Sequence, residues 1–180
     1  MQFSIVLLSK LSVLVITLVV LYQDMKSREV SFILFPALFL LNVYITGIIK
    51  PIELVVSDML MILGFITIQL SVIVLYLLLK FRKIINPFNG FIGAGDLLFW
   101  LAIAPLFSFI NFLLFFVLSL SFSAIAFVAF KSIFKQRSIT KSKFIPLAGM
   151  QAGFLFLMLL FDQLFHQLEF HQRHVISNFW

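Results

Sequence analysis

Four stretches of the chain, residues 3–22, 30–49, 54–79 and 144–165, are almost continuously apolar. Each meets the roughly 20 residues that a helix needs to cross the hydrocarbon core of a bilayer. A fifth apolar stretch, 97–130, is too long for one crossing. As a single helix it would extend about 51 Å at 1.5 Å per residue, against a core of about 30 Å. The alternative is two spans, 97–110 and 112–130, joined by a tight turn near residues 105–111.

Charge placement selects between the two. With the turn, the loops 24–29, 80–95 and 131–143 share one side and hold ten of the thirteen Lys and Arg. The other side holds Lys10, Lys50 and Arg173. A single long helix would divide them six against seven, with no bias. Basic residues collect on the cytoplasmic side of membrane proteins, so the six-span layout is expected, with both termini outside. The sequence therefore predicts an all-α, polytopic membrane protein with one transmembrane domain over residues 1–180. No internal repeat and no Ser/Gly/Pro-rich linker divides it. The fourth span has only some 14 residues, about 21 Å. It starts below the cytoplasmic surface or in a thinned bilayer, and irregular backbone at that depth needs a wet or protein-lined cavity.

Composition agrees. Apolar residues make up 63% of the chain and charged ones only 11%, against about 25% charged in a soluble domain. The net charge of +6 reflects topology and lipid contact, not nucleic-acid affinity. The absence of cysteine excludes disulfides, thiol nucleophiles and cysteine-ligated zinc. No Lys or Arg precedes the first apolar run and no small-x-small site follows it. A retained first span is expected there, not a cleaved signal.

Two carboxylates carry the candidate chemistry. Asp24 follows the first span in Gln23-Asp24-Met25-Lys26-Ser27-Arg28, and Asp96 precedes the fourth in Gly93-Ala94-Gly95-Asp96. The six-span layout puts both on the cytoplasmic face, although neither was used to choose it. Ionisable groups beside hydrocarbon are costly and usually functional. Two close carboxylates sharing a proton supply what amide hydrolysis needs: a base for water and an acid for the substrate. Asp24 lies near a helix C-terminus, which disfavours an anion, and Asp96 near an N-terminus, which favours one. The shared proton is therefore expected on Asp24. Gly93, Ala94 and Gly95 leave room beside Asp96 for positive φ and for an extended substrate backbone. Taken alone, Gly-x-Gly-Asp equally describes a turn at the start of a helix with Asp96 as its N-cap. Asp24 alone equally describes a solvated loop residue balanced by Lys26 and Arg28.

The two segments together resemble the type IV prepilin peptidases in their short form, an intramembrane aspartyl protease family. The resemblance covers nearly the whole chain. It rests on Asp24-Met25-Lys26-Ser27-Arg28-Glu29-Val30, on Gly93-Ala94-Gly95-Asp96 and on Ile145-Pro146. It implies that Asp24 and Asp96 are catalytic and that the substrate is a prepilin-like, membrane-anchored precursor. The implied reaction removes the precursor's basic leader at the cytoplasmic face of a prokaryotic inner membrane. It implies no cofactor, no metal and no methyl transfer. Leu98 stands where that family has a lysine, and Ser31-Phe32 where it has Pro-Asn. The rival reading is a non-enzymatic membrane protein, either a small transporter or an inactive assembly factor. The lack of an inverted repeat and the placing of both acids on one face weigh against a transporter.

Other polar positions have plainer expectations. Asp58, after Ser57, is expected to cap its own helix. Lys10 is expected to snorkel to headgroups, and Gln69 to bond between helices. His166, His171 and His174 lack the spacing of a metal site.

Overall fold

A computed structural model of the chain describes residues 2–27, 29–83, 87, 93–133 and 147–165. Among these there are helices and no strands. They are α1 (Gln2–Ser27), α2 (Leu34–Ile49), α3 (Ile52–Phe81), α4 (Ala94–Ile103), α5 (Phe109–Ile133) and α6 (Leu147–Phe165), with a single 3-10 turn at Ala104–Leu106. The described part of the protein is all-helical. Two of its helices, α3 and α5, contain segments long and apolar enough to cross a membrane. The helices α2, α4 and α6 contribute shorter apolar lengths.

The long apolar run is broken at residues 104–108 for a backbone reason. Pro105 has no N–H to continue the ladder of α4, and the chain tightens into the 3-10 turn before Phe107 becomes extended. Such a break frees carbonyl groups inside an apolar bundle, where each needs a partner. Asn42 and Thr46, one turn apart on α2, supply them. Asn42 Nδ2 donates to the Ala102 carbonyl at 2.9 Å, and Thr46 Oγ1 to the Pro105 carbonyl at 2.9 Å. Both side chains are fully buried.

The start of α5 is satisfied from another helix as well. The Phe109 N–H donates to Asp58 Oδ1 at 3.2 Å, and Lys50 Nζ lies 3.4 Å from Asp58 Oδ2. This corrects the expectation for Asp58. It is not the cap of its own helix, whose N-cap position is Pro51, but an acceptor for the first turn of α5.

The packing centres on α1, α4 and α6. Helix α1 lies along α6 and also meets α2; α4 sits between α2 and α6; α5 packs on α6 and α3. Glycine lets α1 and α6 approach closely. On α6, Gly149 and Gly153 are four residues apart and face α1, so that a Cβ on Gly153 would lie 3.4 Å from the Leu21 side chain. Small residues at this spacing are what allow helices to pack tightly in a membrane. Phenylalanines fill the remaining core. Phe65 of α3 stands edge-on to Phe116 of α5, and Phe107 stacks on Phe115. Much of the surface of α3 is exposed and apolar, including Leu60, Ile68, Val72 and Leu79.

Thr46→Val keeps the shape of the side chain and strands the Pro105 carbonyl. It is expected to destabilise the detergent-solubilised protein by about 1–3 kcal/mol. Thr67→Val is the control, because its hydroxyl bonds only within its own exposed turn and should change stability little. Equal melting temperatures for the two variants would contradict this account of the break.

Candidate active site

Asp24 lies in the last two turns of α1, which runs to Ser27. It is a helical residue, not a loop residue, and its side chain is buried, 8% exposed, against the start of α6. The Gly149 N–H donates to Asp24 Oδ2 at 2.5 Å. A Cβ on residue 149 would stand 2.7 Å from that oxygen and 2.8 Å from Asp24 Cβ. No side chain fits there without displacing the carboxylate. Beside Asp24 in the chain, Gln23 Oε1 accepts the Ser31 N–H at 2.8 Å and ties Ser31 to the end of α1.

Asp96 lies in the first turn of α4, ahead of the apolar stretch that begins at Leu97. Gly93 occupies the N-cap position in extended backbone, with φ −73°. Asp96 is therefore the third residue of the helix and not its N-cap. Its carboxylate reaches back to the Gly93 N–H, as an acid at this position does in a capping box. The glycine is needed here for close approach rather than for positive φ: a Cβ on Gly93 would lie 2.8 Å from Asp96 Oδ2. Gly95 is less constrained, since a Cβ there would make ordinary contact with Phe35 at 4.0 Å. Gly93 and Ala94 are exposed, so the backbone beside Asp96 is open.

The two aspartates meet at α6. Asp96 also accepts a backbone hydrogen bond from Ala148, the residue before Gly149, and feels the charge of Asp24. Two consecutive N–H groups in the first turn of α6 thus hold one carboxylate from α1 and one from α4. The first N–H groups of any helix lack partners within it and carry the positive end of its dipole. One carboxylate satisfies such an end. Two on adjacent nitrogens repel each other, and that repulsion favours one shared proton.

At Asp96 the surroundings oppose the anion, where the sequence alone expected the start of its helix to favour one. Burial, and then the Asp24 charge, push the Asp96 pKa up from 3.8 to about 6; the N–H groups of Ala148 and Gly93 oppose this in part. Asp24 is buried and accepts its short bond from the Gly149 N–H. Helix polarity alone left out both this burial and the N-terminus that α6 brings to Asp24.

Reading the sequence missed Gly149 and Ala148, although their helix falls within the expected span 144–165. A signal was present: Gly149-Met150-Gln151-Ala152-Gly153 is a Gly-x-x-x-Gly in an apolar helix. Ile145-Pro146 and the three tail histidines lie outside the described residues. Among the described residues no group of three or more His, Asp or Glu converges. No family model matches the chain, and searches of curated proteins and of solved structures return no match either.

Two predictions follow from this geometry. Gly149→Ala is expected to cost about 1–3 kcal/mol through overpacking. Gly64→Ala, whose Cβ meets nothing within 4 Å, is expected to be neutral or slightly stabilising. Thermal unfolding in detergent compares them. The second concerns pH. A carboxyl whose folded pKa is raised stabilises the fold below 3.8 and loses that contribution as pH rises through about 6. Asp96→Asn should remove this loss, so the variant's melting temperature should gain on the parent's between about pH 4 and about pH 7. A constant difference across that window would refute it.

Proposed function

We propose that the protein is a multi-pass membrane aspartyl endopeptidase with Asp24 and Asp96 as its catalytic pair. The observation that carries this reading is the holding of both carboxylates by consecutive N–H groups at the start of α6. Asp24, ionised, takes a proton from water as the water attacks the scissile carbonyl. Asp96, protonated, polarises that carbonyl and gives its proton toward the leaving nitrogen. This is the division of labour of paired carboxylates with separated proton affinities.

The exposed backbone at Gly93-Ala94 borders Asp96 and offers an extended peptide a place to lie. The substrate class follows from the resemblance to prepilin peptidases: a precursor with a basic leader joined to one apolar helix. Cleavage falls at their junction, on the cytoplasmic side of a prokaryotic inner membrane. Six spans with both ends outside put the pair on that side, as the distribution of Lys and Arg requires. Leu98 and Ser31-Phe32 depart from the family pattern without touching either carboxylate.

Co-expression with such a precursor, followed by a mobility shift on a gel, tests the activity. Asp24→Asn and Asp96→Asn are each expected to lower cleavage by at least about 10²-fold while membrane insertion is kept. Normal processing by either variant would sink the mechanism. Topology has its own test, made simple by the absence of native cysteine. Single cysteines at Lys26 and Lys83 should react with an impermeant reagent only from the cytoplasmic side, and one at Lys50 only from the other. Labelling of all three from one side would refute the six-span layout.

A further inference from the structure

The seam between α4 and α6 carries a second polar contact, one helical turn from the carboxylates. Trp100 follows Asp96 by four residues on α4, and Gln151 follows Ala148 by three on α6. Each therefore shares a helix face with the site residue before it. Trp100 Nε1–H donates to Gln151 Oε1 at 2.7 Å, and both side chains are buried. An indole N–H only donates, so the orientation of the amide is settled: oxygen toward Trp100, nitrogen away. Among the described residues that nitrogen is buried with no hydrogen-bond partner.

Such an amide is a poor choice for packing alone. Methionine has similar length and flexibility and leaves no donor unpaired. What glutamine adds is a directional acceptor for α4. That helix has only ten residues, and Asp96 stands in its first turn. A small rotation or slide of α4 would lift Asp96 from the Ala148 N–H. On its other side Trp100 stands edge-on to Phe116 of α5, with ring centroids 5.1 Å apart. The indole is thus fixed from two helices.

We propose that Gln151 is a positioning residue: by accepting the Trp100 N–H it locks the register of α4 on α6 and so holds Asp96 on the Ala148 N–H beside Asp24. The kinetic consequence rests on the peptidase reading; the register itself does not. Among the described residues, Asp24 of α1 is the charged group acting on Asp96, and Gly93 and Ala148 supply its N–H donors. From α2, Phe35 faces this turn of α4 at Gly95.

The test uses Gln151→Met, Trp100→Phe and the double variant in the full-length, detergent-solubilised protein. The double variant removes both halves of the bond and leaves neither unpaired, so it is expected to stay folded with nearly the parent's melting temperature. All three are expected to lower kcat by about tenfold or more at unchanged KM. The double should be no worse than the poorer single, because the two side chains act as one unit. Infrared spectroscopy of the protonated carboxyl, assigned by its loss in Asp96→Asn, requires no substrate. Its titration is expected to move to higher pH in the variants, since Asp96 loses an N–H that favours its anion. If the parent cleaves no precursor, that counts against the peptidase reading, and the infrared shift still decides the register claim. A folded double variant with the parent's carboxyl titration would overturn the proposal. So would kinetic losses that add independently.

Discussion

The closeness of α1 and α6 is the constraint from which the rest follows. Two glycines on α6 remove the side chains that would hold the helices apart, and a buried carboxylate on α1 then reaches the backbone of α6 at 2.5 Å. The N-terminus of a helix in an apolar bundle must find acceptors for its first N–H groups. Here it finds two acids from two other helices. The same helix start that requires capping is where the charge of Asp24 acts on Asp96.

The remaining polar side chains of the core serve the same economy of satisfied backbone. Pro105 ends α4 early, and Asn42 and Thr46 take up the carbonyls that this break leaves. Asp58 takes the first N–H of α5 across a helix boundary. With one short helix bounded in this way, Asp96 at its start is positioned from both ends: by the capping turn at Gly93 and by the packing of residues 100–106 on α2, α5 and α6. Net hydrogen-bond energies are modest, about 1 kcal/mol each, but leaving any of these groups unpaired in an apolar interior costs more. They therefore act on the geometry of the bundle more than on its total stability.

The exposed apolar face of α3 and the sparse charge of the chain suit a bilayer, where helix association depends on close packing and internal hydrogen bonds rather than on burial from water. That setting explains why small residues and a few amides carry so much of the arrangement. It also explains why a carboxylate pair persists there. In a medium of low polarity two adjacent anions are unfavourable, in keeping with the raised pKa of Asp96.

The order of apolar runs by itself determined that the protein is helical, because continuous apolar stretches of this length leave backbone groups that only a helix satisfies internally. The two aspartates were also legible, since an acid at the edge of such a run has a cost that invites explanation. What partners these acids have was decided in three dimensions. Gly149 lies 125 positions from Asp24, and neither residue's neighbours announce the other. Asp58 looked like the cap of its own helix because local spacing says nothing of a second helix arriving beside it. The surroundings of Asp96 were misjudged for the same reason: burial and the Asp24 charge act on it across space, not along the chain.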